Sequence, residues 1–285
     1  MHLVITQWQH DTADLRREEQ TREASPASFF FSQGQALVLA AKYFTDARLV
    51  KGARGGVARK HRHRMQLALY GQLLASLEYL FKDFIAALLT RFQLSTSGSG
   101  PPGGSPSTQT EFSPVALPLP VQARCSFIRR LDGTSPRPLI NERYKHLFQR
   151  EPVEASEVGP LKRLWILRHS VAHNAGFITD YDSVRGDFPA LSRRVADLQP
   201  VHLDDSFEFL CRIARRVADT VGDRIVVDWL KTRVPQGKSY VRDRVTYKTL
   251  KLLATFVNSR AQDLPSITKG SCTDDYTRAA GVGAA

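Results

Sequence analysis

From residue 65 to residue 92 the chain reads MQLALYGQLLASLEYLFKDFIAALLTRF. Leu67, Tyr70, Leu74, Leu77, Phe81, Phe84 and Leu88 recur at alternating steps of three and four residues, which lays one continuous apolar stripe along a helix. A stripe of that length must be covered by neighbouring elements. The spacing therefore predicts a long core helix over Met65 to Phe92. With helical patterns on both sides, the fold class is all-α, a multi-helix up-and-down bundle.

On the N-terminal side, the basic stretch Lys51 to Arg64 carries glycines at 52, 55 and 56, which predicts a loop. Before it, residues 27 to 49 read as a helix with Phe31, Leu37, Leu39 and Tyr43. On the C-terminal side, residues 95 to 107 are built of Ser, Thr, Gly and Pro alone, a flexible loop that ends the long helix near Phe92. A short helix is expected from Ile140 to Arg150. The next is expected to start at Pro160, where proline fits the first turn, with Glu154 and Glu157 complementing the helix dipole. Asp204-Asp205-Ser206 offers N-caps for a helix with Phe207, Leu210, Ala214, Val217 and Val221 on one face and Arg212, Arg215 and Arg216 largely on the other. That helix could run on to Arg233, and a last one is expected from Tyr240 to Val257. The extended signals at Leu3-Val4-Ile5 and Arg224 to Trp229 lack partners. The expected division is an N-terminal extension with one helix (1–58), a helical domain (59–233) and a C-terminal helix and tail (234–285).

Forty Lys and Arg against twenty-eight Asp and Glu give a formal charge of +12 over 285 residues, a surplus that favours nucleic acid or an anionic membrane surface. No apolar run reaches the ~20 residues of a spanning helix, and Gln7, Gln9 and Asp11 stand where a signal peptide would be apolar. The expectation is a soluble, cytoplasmic protein that does not engage a membrane. Cys125, Cys211 and Cys272 are odd in number and widely spaced, which speaks for free thiols against a disulfide framework or a thiolate zinc site.

The chemistry is concentrated in Leu161 to His173, Leu-Lys-Arg-Leu-Trp-Ile-Leu-Arg-His-Ser-Val-Ala-His. Leu164-Trp165-Ile166-Leu167 is apolar on every side, so the helix is expected to be buried, with Arg168 emerging from apolar surroundings. A guanidinium there needs an anion, either a carboxylate of the protein or a phosphate of a ligand. His169 and His173 lie four apart on one helix face, and Arg168 lies about 140° round the axis from His173. Asn174 and Gly176 are helix-ending residues that put His173 in the last turn, where the dipole favours imidazolium and a nearby arginine opposes it. Acid-base work near neutral pH is within reach of such a ring.

An Arg, a polar residue, three more positions and a His, ending a buried helix and followed by Asn and Gly, resembles the R-x4-6-H motif of the HEPN superfamily. Leu77-Glu78-Tyr79-Leu80-Phe81-Lys82 in the early helix and the amphipathic helix after 204 are similar to that family too, so the resemblance covers roughly residues 60 to 233. It implies a bundle of HEPN type and a metal-independent endoribonuclease that needs no cofactor, in which a ribose 2′-OH attacks the adjacent phosphate. His173 would serve as general base or acid, Arg168 would stabilise the charge on the phosphorane-like oxygens, and His169 or Asn174 would orient the phosphate, with Glu78 in support. It further implies a homodimer with a composite site, and a toxin-antitoxin or antiviral setting with an inhibitor or antitoxin protein. The tyrosine that some antitoxins modify in that family falls here on Ala175.

Other meanings of the same residues follow from their chemistry. His169 and His173 could be a helical metal pair, but Ser-Val-Ala between them supplies no glutamate and no third ligand is evident. Arg168 could pair with Glu78 as a purely structural contact, and Glu78 could pair with Lys82 four residues on. Arg59, Lys60, Arg62 and Arg64 could contact RNA phosphates or be a solvated face. Tyr70 and Tyr79 read as core residues. A catalytically silent helical module that binds RNA or a protein partner is the alternative function.

Overall fold

The computed structural model describes residues 25–45, 55–91, 139–222 and 255–256. The expectations for Leu3 to Ile5, for the loop at 95–107, for Arg224 to Trp229 and for most of Tyr240 to Val257 lie outside those residues. Among the described residues the protein is all-α, with no β-strand. In chain order these are α1 (Pro26–Thr45), α2 (Gly55–Arg91), α3 (Ile140–Phe148), α4 (Ala155–Asn174), α5 (Asp180–Gly186) and α6 (Pro200–Arg216). A 3-10 turn at Pro189–Leu191 precedes α6, which runs on into a π turn at Val217–Gly222.

Helix α2 is the element the others cover: α1, α4 and α6 all pack on it. Leu67, Tyr70, Leu74, Leu77, Phe81 and Phe84 are buried as their spacing predicts, and Leu73, Leu80 and Ile85 widen the stripe. Each such side chain contributes about 1.5–3 kcal/mol on transfer from water. Helix α3 is pinned by Tyr144, whose hydroxyl donates to the Phe81 carbonyl at 3.1 Å while its ring meets Phe81 edge-on at 5.5 Å. Phe256 stacks on Phe84 at 5.4 Å.

In α1 the buried face is Ala27, Phe30, Phe31, Val38 and Ala41. Leu39 and Tyr43, which the sequence groups with Phe31, are exposed, because they fall on the far side of the helix from the Phe30 face. A Cβ at Gly34 would overlap the Phe207 ring, so the missing side chain is what lets α1 approach α6. Lys42 and Asp204 close the rim of that contact at 2.7 Å. Tyr79 is also a correction: it is 46% exposed while Tyr70 is buried.

Three helix starts differ from the sequence reading. The basic stretch before Met65 is helical from Gly55, since glycines in a first turn cost little and Arg and Lys are good helix formers. Helix α4 starts at Ala155, five residues before Pro160. Glu157 accepts the Glu154 backbone N–H at 3.0 Å, and Pro160 lies on the exposed side, where water can satisfy the carbonyl it leaves unpaired. Helix α6 starts at Pro200, with the His202 ring accepting the Gln199 N–H at 3.1 Å. Asp204 and Asp205 are therefore inside the helix and do not cap it. Arg216, grouped in the sequence with an exposed basic face, is half-buried and paired with Glu157 and, at 3.1 Å, with Glu154.

Candidate functional site

The end of α4 carries the residues that the sequence singles out. Trp165 and Ile166 are buried, Leu164 and Leu167 half-buried, and the Tyr70 hydroxyl donates to the Leu164 carbonyl at 3.4 Å. Gly71 of α2 lies against Val171, whose Cγ1 would sit 3.6 Å from an added Cβ. The helix stops after Asn174, with Ala175 in the left-handed region at φ 50° and Gly176 at φ 87°. The Gly176 N–H donates to the Ser170 carbonyl at 3.0 Å. The sequence reading gave the stop to Asn174 and Gly176; in the structure Asn174 is the last helical residue, and Ala175 is the cap that turns left-handed ahead of Gly176.

Arg168 leaves α4 toward α2. Its guanidinium lies 5.6 Å from the Trp165 ring centroid and 3.5 Å from the Glu78 carboxylate. Glu78 is paired at the same time with Lys82, one helical turn on. Both structural pairings that the sequence allowed are thus present together. One carboxylate between two cations leaves the trio with a net positive charge, and the planar guanidinium has more N–H donors than Glu78 can accept.

His169 and His173 form the second half of the site. Their rings lie against each other with centroids 4.5 Å apart and planes tilted by 46°, and both residues are exposed. Partial burial holds the His169 ring below its ordinary proton affinity, and His173, Arg185 and Arg168 push the same way against the opposing charge of Asp182. The neutral imidazole, an acceptor, is therefore favoured at His169. Asn174 is half-buried, its carbonyl accepts the Phe177 N–H at 2.9 Å, and its side chain makes no hydrogen bond among the described residues. No bond joins Arg168 to His173 among the described residues. The histidines share one face and the arginine turns to another, as the 140° separation requires.

Of the basic residues read as RNA contacts, Arg62 and Arg64 are exposed on α2. Arg59 and Lys60 belong to the same helix, and their side chains lie outside the described residues. Arg212 and Arg215 are exposed on α6, resting over Phe209 and Phe31 at 5.7 and 5.3 Å. Sequence reasoning missed the segment that follows the motif. Ser170 is fully buried and donates to the Asp182 carboxylate at 3.2 Å. Asp182 also accepts from the Thr179 hydroxyl at 2.9 Å. The signal was there in Thr179-Asp180-Tyr181-Asp182, a Thr followed three residues later by an acid ahead of a helix.

Among the described residues no cluster of His, Cys, Asp and Glu could hold a metal ion, and no helix is long and apolar enough to cross a membrane. Cys211 is a buried free thiol whose pKa burial pushes up to about 12; Cys125 and Cys272 lie outside the described residues. No protein-family model, curated protein or solved structure matches the chain.

Proposed function

We propose that this protein is a metal-independent endoribonuclease of the HEPN type, acting through Arg168, His169 and His173. The observation that carries the reading is the close His169–His173 pair next in sequence to an arginine whose carboxylate partner is already shared with a lysine. Two adjacent imidazoles provide one acceptor and one donor of protons. His169, biased toward the neutral form, takes the proton of the ribose 2′-OH. The 2′-oxygen attacks the adjacent phosphorus, the bond from phosphorus to the 5′-oxygen breaks, and His173 as imidazolium gives that oxygen its proton. The products are a 2′,3′-cyclic phosphate and a 5′-hydroxyl. Arg168 meets the charge that grows on the non-bridging oxygens, and Asn174 donates to the same phosphate. The resemblance adds a second copy of the chain as the partner that completes the groove, and an inhibitor protein in a toxin-antitoxin or antiviral setting.

One observation favours a second reading, the silent binding module: Arg168 already has a protein carboxylate, Glu78, as its counter-ion without a ligand. The two readings separate when RNA binding and RNA cleavage are measured side by side on wild type, Arg168→Ala and His173→Ala. A nuclease loses cleavage by about 100-fold or more in each variant while His173→Ala still binds RNA. A silent module shows no cleavage in any of the three and binding that is indifferent to His173.

A further inference from the structure

Helix α5 follows the motif helix and is fastened to it at several points. The Ser170 hydroxyl donates to Asp182 at 3.2 Å, and the Asp182 N–H donates to the Thr179 hydroxyl at 3.1 Å. Arg193 grips the Asp180 carboxylate with Nε at 2.9 Å and a terminal nitrogen at 2.8 Å. An antiparallel bridge between Phe177 and Val195 closes the loop behind them. His169 precedes Ser170 and Tyr181 precedes Asp182, so the bond between the two inner residues ties the segment that carries the tyrosine to the helix turn that carries the histidine. The inward side of α5 is Asp182, Ser183 and Gly186; Tyr181 is turned outward and is 51% exposed. Arg185, one turn on, lays its guanidinium 5.1 Å from the Tyr181 ring centroid.

A helix of this length needs no exposed aromatic for its own stability; an Arg–Tyr contact one turn apart contributes only a fraction of a kcal/mol, and the ring would be more cheaply replaced by any polar residue. What the arrangement does provide is an exposed ring with positive charge beside it, on the short helix whose Asp182 and Arg185 are near enough for their charges to act on His169. Nucleobases stack on such rings whatever their sequence, and the positive charge suits the backbone that joins them. A base inside an A-form duplex has both faces covered and cannot use the ring.

We infer that Tyr181, with Arg185 beside it, is the stacking platform for an unpaired base flanking the phosphate held at His169 and His173. This rests on the ribonuclease reading for the phosphate and adds the residue that receives the base. The test is binding of a short labelled 2′-O-methyl RNA, which cannot be cut by this route, as a single strand and annealed to its complement, by the full chain and by Tyr181→Ala and Tyr181→Phe. Tyr181→Ala is expected to weaken the single strand by between about 5- and 150-fold and to leave the duplex as it was, while Tyr181→Phe keeps the π-face and the affinity. Equal single-strand affinity in wild type and Tyr181→Ala overturns the inference, as does an equal loss on duplex. Cleavage of ordinary RNA, measured in parallel, separates the two claims. A wild type that cuts but ignores Tyr181→Ala refutes the platform alone. One that binds the single strand through Tyr181 without cutting refutes the nuclease alone.

Discussion

At the scale of single residues, Glu78 decides how the Arg168 variant is to be understood. Because Lys82 holds the same carboxylate, removing the arginine does not strand a charge. Arg168→Ala is therefore expected to cost no more than about 1 kcal/mol of stability, the range of partly exposed ion pairs, while abolishing most cleavage. Urea unfolding beside the cleavage assay checks this, and a cost of several kcal/mol would make Arg168 a structural residue. His169 offers a second test. Partial burial, then His173, Arg185 and Arg168, lower its proton affinity, with Asp182 opposing them. Its ring titration by NMR should fall below the ordinary 6.5 and move up in His173→Gln, which removes a cation. A base must be neutral to act, so the acid limb of the cleavage profile should also lie below that value. A His169 midpoint above it would remove the ring from the role of base.

At the scale of elements, the turn after α4 holds Ala175 and Gly176 both at positive φ. An alanine there costs about 1–2 kcal/mol relative to glycine, so Ala175→Gly should stabilise the protein by about 1 kcal/mol. Gly176→Ala should destabilise it by about 1–3 kcal/mol, because its Cβ would also lie 2.6 Å from Leu67 Cδ1. Chemical denaturation reads both. What was legible in the sequence follows from the same physics. The stripe on α2, the apolar run of α4 and the short helix at 140 are periodic signals within one element, and each is a helix as read. The starts of α2, α4 and α6 were not legible, because Gly55, Pro160 and Asp204 are strong local signals that capping and packing override. Arg168, His169 and His173 were legible as a group because one helix carries them. Asp182 and Arg185 come near His169 only through a loop closed by the Phe177–Val195 bridge, and Arg216 meets Glu157 from 59 residues away; no spacing in the sequence announces either.

At the scale of the whole molecule, the charge of +12 predicts that the proposed RNA binding depends strongly on salt. Each phosphate contact on a single strand adds about 0.7 to the slope of log affinity against log salt. Arg62 and Arg64 are exposed on α2, and Arg62→Gln with Arg64→Gln should flatten the slope by about 1–1.5 without changing the cleavage products. An unchanged slope would leave those arginines as a solvated face. The central claim concerns the reaction itself. It is tested most directly by incubating mixed-sequence RNA with the purified chain in excess EDTA and identifying the new ends by mass spectrometry. The account predicts 2′,3′-cyclic phosphate and 5′-hydroxyl ends that form in chelator. Intact RNA in the presence of folded protein, or ends carrying a 5′-phosphate and a 3′-hydroxyl, would contradict it.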